Sequence, residues 1–221
     1  MKREFLKTGD GSVTIHLPDW NEQYHSKHGA IAEAMHVFIR SGLHFYKNTS
    51  LKDHISILEI GFGTGLNAFL TAIEAERIPL KIDYTGIEAY PVEASEISAL
   101  NYPALLNASE TEFVKLHSVP WEVTSEIISN FSLTKKQQFF SEIKAQDEYD
   151  LIYFDAFGAR VQPELWTETI FTIMYNALRE KGVLVTYSAK GSVRRAMQAV
   201  GFTVERLPGP PGKREMLRAV K

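Results

Sequence analysis

With 221 residues, 44% of them hydrophobic, and a formal net charge of −3, the chain is long enough for one well-buried domain and short for two. The absence of cysteine excludes disulfides, thiol nucleophiles and cysteine metal sites, and no apolar run reaches the roughly 18 residues that a membrane span needs. Residues 1–4 are not followed by the apolar segment of a secretion signal, so a cytoplasmic protein is expected.

Residues 4–17 hold two short runs around Thr8-Gly9-Asp10-Gly11-Ser12, and Asp-Gly between such runs predicts a β-hairpin. After Tyr24-His25-Ser26-Lys27-His28-Gly29 a helical pattern sets in, with Ile31, Met35, Phe38 and Ile39 on one stripe and Glu33 off its middle. His28, His36 and His44 recur along it, but no carboxylate stands at a familiar ligand spacing, so no metal site is expected and these histidines read as solvated or hydrogen-bonded. Residues 1–50 are thus expected to form a hairpin-and-helix extension on a main unit of residues 51–221.

The most informative stretch is Ile57-Leu58-Glu59-Ile60-Gly61-Phe62-Gly63-Thr64-Gly65-Leu66-Asn67. An apolar run, three alternating glycines and a helical pattern predict a buried strand, a tight turn and a helix N-terminus. Glycine admits positive φ and lets a ligand approach the backbone, because no Cβ intervenes. Leu66 stands where a dinucleotide fingerprint wants its third glycine, and an acid two places before the first glycine points to S-adenosylmethionine. The helix runs over 66–77 and stops at Pro79; a second strand over 81–88 ends in Glu88, placed to accept hydrogen bonds from ribose hydroxyls.

Residues 92–116 look helical with a break near Tyr102-Pro103, and residues 120–148 read either as a hairpin across Ser129-Asn130 or as a charged helix. Tyr149-Asp150-Leu151-Ile152-Tyr153-Phe154-Asp155 then has the near-continuous apolar character of a central parallel strand ending in an acid. A helix is predicted from Pro163 to a stop at Gly182, a strand over 183–187, a helix over 192–200, and a terminal strand pair, 202–207 with 215–220. This alternation predicts an α/β, Rossmann-like, doubly wound sheet with an antiparallel edge. Residues 177–221 carry ten Lys/Arg against three Glu, which leaves a net −10 on residues 1–176. A basic end on an acidic chain suits a polyanionic partner.

Tyr24-His25-Ser26 through Gly29 and Glu33, the segment from Glu59 to Asn67, Glu88 before an aromatic residue and Pro91, and Asp155-Ala156-Phe157 with Pro163 and Trp166 follow one another, and Val193-Arg194-Arg195, Gly201-Phe202 and Lys213-Arg214-Glu215-Met216-Leu217 complete the series. In this order they resemble the methyltransferases that complete 5-methylaminomethyl-2-thiouridine at the tRNA wobble position, the MnmD activity found alone or as half of the bifunctional MnmC enzyme. The resemblance implies the class I methyltransferase fold, S-adenosyl-L-methionine as donor, and tRNA, at its anticodon, as substrate. It implies Glu59, Gly61, Phe62, Gly63, Gly65, Asn67 and Glu88 around the donor and Asp155 as the catalytic residue. Tyr24, Ser26, Glu33, Phe157, Arg160, Arg194, Arg195, Lys213 and Arg214 are implied around the substrate. Two departures stand out. Where the family often has Gly-Asp near the adenine this chain has Gln138-Phe139, so stacking by Phe139 or a backbone contact is expected to substitute, and Arg160 is the one cation near Asp155 in the loop that follows it. The FAD-dependent half of the bifunctional enzyme has no room in this length, so the stand-alone form is expected, as a monomer.

Methyl transfer to an amine needs the unprotonated nitrogen in line with the methyl–sulfur bond. An alkylammonium titrates about six units above an ordinary Asp, a gap of roughly 8 kcal/mol, so Asp155 is expected to orient the amine and steady the forming cation. The proton then leaves to water, or through an Asp155 whose pKa is raised. The rival readings are a class I methyltransferase or polyamine synthase acting on a small amine, and a non-catalytic RNA-binding module. Leu66 disfavours a nicotinamide enzyme.

Overall fold

The computed structural model describes residues 2–221 and arranges them around two sheets. The smaller is antiparallel: β1 (Glu4–Lys7), β2 (Val13–Leu17) and β3 (Glu22–Gln23), the last a strand too short and polar to be legible in the sequence. The expected hairpin joins β1 to β2. Asp10 holds its turn by accepting from the Ser12 backbone N–H at 3.1 Å, and its other oxygen accepts from the Ala32 N–H at 2.9 Å, which ties the turn to the following helix.

That helix is continuous but changes winding. It is α-helical over α1 (Ala30–Ala34), π-helical over Met35–His44, and α-helical again over α2 (Phe45–Thr49). The wider π turns bring residues five apart into line, as where the Ser41 hydroxyl donates to the His36 carbonyl at 2.8 Å. The buried face therefore becomes Ala34, Val37, Phe38, Ile39, Gly42 and Leu43, while Ile31 and Met35 are only partly covered. Glu33, expected off the stripe, is instead buried.

The larger sheet has eight strands: β4 (His54–Ile60), β5 (Lys81–Ile87), β6 (Ser125–Ile128), β7 (Phe131–Lys136), β8 (Tyr149–Phe154), β9 (Leu178–Thr186), β10 (Thr203–Pro208) and β11 (Glu215–Val220). Their order is β10-β11-β9-β8-β4-β5-β7-β6, with β9, β8, β4, β5 and β7 parallel and antiparallel partners at both edges. The doubly wound expectation holds, and the antiparallel edge occurs twice. β4 and β8 turn their side chains alternately to two cores. Ile57, Leu151 and Tyr153 face the long helix and α3 (Leu66–Arg77); Leu58, Ile152 and Phe154 face the later helices. The chain leaves β4 towards β5 on one side and reaches β8 on the other, so a crevice opens at the carboxyl ends of this pair.

Between β5 and β6 lie three short helices, α4 (Ala94–Ile97), α5 (Tyr102–Leu106) and α6 (Glu110–Ser118). Pro103 sits in the first turn of α5, where its missing N–H costs nothing, so Tyr102-Pro103 opens a helix where a break was expected. Residues 120–138 form the hairpin of β6 and β7. Pro163–Trp166 is a separate 3₁₀ turn, after which the Thr167 hydroxyl caps α7 (Glu168–Ala177). Gly182 does not end that helix. It lies inside β9, where a Cβ would stand 2.7 Å from the Arg179 carbonyl, beside Lys181 at φ 64° and a register irregularity against β8. The last helix is α8 (Gly191–Ala199). Among the described residues no helix is long and apolar enough to cross a membrane.

At the amino ends of the strands, buried Asp150 accepts from the Ser56 N–H (2.8 Å), the Tyr46 hydroxyl (3.0 Å) and Arg179 (2.7 Å), and pairs with Lys52. Asp150→Ala leaves these donors unmatched, the buried Tyr46 hydroxyl among them, and is expected to destabilise the protein by about 3 kcal/mol and lower Tm by roughly 6–12 °C. A thermal melt that does not move would remove the structural role given to this cluster.

Candidate active site

The glycine turn is shaped by close approaches on several sides. Gly61, Gly63 and Gly65 all have positive φ (89°, 49° and 70°). A Cβ on Gly61 would come within 2.7 Å of the Asp155 carbonyl, and one on Gly63 within 3.2 Å of the Tyr24 ring. The N–H groups of Gly61 and Phe62 donate to the Ile87 carbonyl, at 3.1 and 2.9 Å, so the turn is strapped to the end of β5. Glu88 follows directly. It accepts from the Gly63 N–H at 3.0 Å and from the Tyr90 N–H at 2.9 Å, which holds its carboxylate at the rim of the turn. Gly65 differs from the other two glycines: it precedes α3 in the left-handed conformation, packs against His117, and does not reach the crevice. The Phe62 ring is likewise buried, against Gly86 and near Trp121.

The end of β8 is fixed as tightly. The Asp155 N–H donates to the Ile60 carbonyl (2.9 Å), the Tyr187 hydroxyl to the Ala156 carbonyl (2.9 Å), and the Trp166 indole to the Phe157 carbonyl (2.8 Å). Asp155 is therefore presented by a loop whose own backbone is bonded at three successive residues. Its Oδ2 accepts from Asn67 Nδ2 at 2.9 Å, and the same amide nitrogen donates to Glu59 Oε1 at 2.9 Å. Glu59 is wholly buried behind Asn67 and does not line the crevice.

These two ends enclose one cavity of about 1660 Å³, roofed by the segment from Leu17 to His28 and by the β10–β11 turn. It exceeds the 300–1,000 Å³ usual for one small ligand, and so has room for a donor and an acceptor. One wall is aromatic: Phe157 meets Tyr24 edge-on at 5.0 Å and Trp20 at 5.8 Å. A second aromatic pair, Tyr90 and the exposed Phe139, stands at the mouth, 6.1 Å apart. On the Asp155 side Glu33 accepts from the Ser26 N–H at 2.9 Å and from the Lys213 ammonium, which also lies 3.7 Å from the centre of the Tyr187 ring. His25 bridges the Thr14 hydroxyl (3.1 Å) and the Thr64 hydroxyl (3.3 Å), clamping the small sheet to the glycine turn.

The cavity thus brings together Tyr24, Ser26, Glu33, Gly61, Phe62, Gly63, Asn67, Glu88, Phe139, Asp155, Phe157 and Lys213 of the residues expected from the sequence. Arg160 is not among them. Its guanidinium donates to the carbonyls of Trp20 and Asn21 and pairs with Glu22 at 3.0 Å, bracing the roof. Arg194, Arg195 and Arg214 lie outside the cavity and form no ion pair among the described residues. Arg179, Arg206, Lys213, Arg218 and Lys221 of the basic segment are all matched to carboxylates. Sequence reasoning missed Tyr187, though it follows the carboxyl end of β9 as Asp155 follows β8. It also missed Tyr90, Trp20 and the exposed, unpaired Lys27 and Lys190.

Burial dominates the electrostatics. Desolvation, with Glu33 adding repulsion, pushes Asp155 up to about 7, against the lowering effect of Asn67 and Lys213. Desolvation raises Glu59 well above its ordinary value, and it depresses His25 to about 4, so that histidine is neutral. The site holds a single carboxyl group poised to change charge near neutrality, beside a backbone turn free of side chains.

Residues 126–221 match a family described as S-adenosyl-L-methionine-dependent methyltransferase. The tRNA 5-methylaminomethyl-2-thiouridine biosynthesis bifunctional protein MnmC of Polaromonas naphthalenivorans is 26% identical over 97% of this chain and 35% of its own length. Its counterpart in Cupriavidus metallidurans is 28% identical over 96% and 33%. The chain thus spans about a third of the curated relatives it matches. The crystal structure of MNMC2 from Aquifex aeolicus superposes with a TM-score of 0.79 at 27% identity, covering 99% of this chain and 69% of that one. Spermidine synthase from Thermotoga maritima shares the fold, with a TM-score of 0.59 at 16% identity. The chain has the fold of the class I S-adenosyl-L-methionine-dependent methyltransferases, and the MnmC-type resemblance read from its motifs is borne out. Its residues fit that donor, because Gly61 and Gly63 line the cavity with bare backbone beside the Glu88 carboxylate.

Proposed function

We propose that the chain methylates the exocyclic amine of 5-aminomethyl-2-thiouridine at the tRNA wobble position, giving 5-methylaminomethyl-2-thiouridine. The observation that carries this reading is Asp155, a carboxyl group held near neutrality between the side-chain-free glycine turn and an aromatic wall. S-adenosylmethionine, when bound, supplies the methyl group. Gly61 and Gly63 admit its amino-acid end, Glu88 takes the ribose hydroxyls, and Phe139 with Tyr90 covers the adenine. Tyr24 and Phe157 receive the unstacked uracil ring, since single-stranded bases are read by stacking and edge contacts.

Asp155 accepts a hydrogen bond from the acceptor amine and aims its lone pair. As the N–C bond forms and the C–S bond breaks, nitrogen becomes positive and the carboxylate stabilises it. The last proton then passes to water. With Asp155 near 7, the gap to a lysine-like ammonium narrows to about three and a half units, ~5 kcal/mol, so the raised carboxyl assists proton removal without being a strong base.

Anticodon phosphates are assigned to Lys27, Lys190, Arg194, Arg195 and Arg214, five cations that carry no ion pair among the described residues. Lys213 and Arg160 are committed to Glu33 and Glu22. tRNA affinity is expected to fall with salt, and Arg195→Ala to reduce the log–log slope by about 0.7–0.9. Filter binding across a salt series measures this, and a slope unchanged in the variant would withdraw that residue.

The acceptor is tested by offering labelled S-adenosylmethionine with tRNA lacking the final methyl and, separately, with a small diamine. Label should enter the tRNA alone. Transfer to the diamine and none to tRNA would overturn the reading.

A further inference from the structure

Glu59, Asn67 and Asp155 form a chain of contacts that a donor-binding role for Glu59 does not explain. One amide nitrogen, Asn67 Nδ2, donates to both carboxyl groups at 2.9 Å. Each of its two hydrogens is therefore used, one for each carboxyl group. Among the described residues Asn67 Oδ1 and Glu59 Oε2 are buried with no well-formed hydrogen bond, and the buried Tyr84 hydroxyl stands beside Glu59. Glu59 is fully enclosed, and no face of it meets the cavity. Asp155 Oδ2 is spoken for, while Oδ1 takes no hydrogen bond among the described residues. The other charged or titratable groups that act on Asp155 are Glu33, Lys213, Tyr187 and Tyr84.

We propose that Glu59 is a positioning residue that never touches the donor: enclosed behind Asn67, it holds the Asn67 amide, which pins one oxygen of Asp155 and leaves the other for the acceptor amine. This deepens the function proposed above and rests on it for the identity of the amine. A charged Glu59 would compete with Asp155 for the same amide and repel it. A neutral one supplies the acceptor without the second charge. The acid that precedes the glycine turn is thereby linked to the chemistry of β8 through α3, the helix the turn itself opens.

Three variants separate this role from donor binding, with S-adenosylmethionine affinity read by calorimetry and the Asp155 titration by carboxyl NMR, neither of which depends on the acceptor. Glu59→Gln keeps a neutral acceptor for Asn67, so donor Kd is expected to stay within about twofold of wild type and the Asp155 titration to stay in place. A Kd raised about tenfold or more by Glu59→Gln would mean that a carboxylate grips the donor, and would overturn the proposal. Asn67→Ala removes the donor hydrogen from Asp155 and is expected to move its titration up by about one unit. An Asp155 titration unmoved in Asn67→Ala would equally overturn it. With tRNA, Glu59→Leu is expected to lower kcat about tenfold while KM changes little, and Glu59→Gln to recover most of that loss. If tRNA is not methylated at all, the function proposed above fails, while calorimetry and NMR still decide the role of Glu59.

Discussion

Asp155→Ala is expected to lower kcat by about a thousandfold while the protein stays folded and still binds S-adenosylmethionine, because the variant loses both the orientation of the amine and the stabilisation of the cation it becomes. Single-turnover methylation measures the chemical step directly, and transfer at the wild-type rate would remove Asp155 from the chemistry. The wild-type rate should itself depend on pH. Asp155 is held up at about 7, first by burial and then by Glu33, so its active, ionised form accumulates as pH rises through 7. kcat/KM at one unit below that point is expected to be about a tenth of its plateau.

The same shift has a stability consequence of defined sign. The folded pKa lies above that of an exposed Asp, so between about pH 4 and 7 the native state binds more protons than the unfolded one, and stability falls as pH rises through that window. Asp155→Asn keeps the Asn67 contact with no charge to bury. It should melt above wild type at pH 8, and the difference should vanish below about pH 4. A variant less stable than wild type at pH 8 would contradict the account of that site.

Gly61→Ala carries the second large effect. The residue has φ 89°, where an L side chain is strained, and the new Cβ would sit 2.7 Å from the Asp155 carbonyl. Strain and overpacking each cost about 1–3 kcal/mol, and the atom that must yield belongs to the loop that presents Asp155. Donor affinity is therefore expected to fall by about a hundredfold and kcat with it, together with a lowered Tm. Gly65→Ala provides the contrast. It is strained as well, at φ 70°, but faces His117 in the core. It should lose stability with a smaller loss of donor affinity among the molecules that remain folded. Equal donor affinity in wild type and Gly61→Ala would show that this turn is not the donor cradle.

The sheet was legible because its central strands are apolar on both faces, and because Asp155 and Glu88 each end or follow such a run where a doubly wound fold opens its crevice. The glycine turn announced itself for the same reason: only glycine tolerates backbone packed against backbone. Winding was not legible. Nothing in the sequence of residues 30–49 distinguishes the π segment Met35–His44 from an α-helix. Glu33 lies in the α-helical turn before that segment and is buried against Ser26 and Lys213. Charge pairing was hidden too. Lys213 and Arg160 read as free cations in the sequence, and only the tertiary fold gives each its carboxylate. Glu59 shows the limit most clearly: its spacing before the glycines is that of a donor ligand, yet Asn67 stands between it and the cavity.

The most direct measurement is nucleoside analysis of tRNA that carries 5-aminomethyl-2-thiouridine, after incubation with S-adenosylmethionine and the wild-type protein. The account expects that nucleoside to disappear and 5-methylaminomethyl-2-thiouridine to replace it, with Asp155→Asn leaving the precursor intact. Precursor untouched by a wild-type protein that demonstrably binds the donor, or a methyl group found on any other nucleoside, would contradict it.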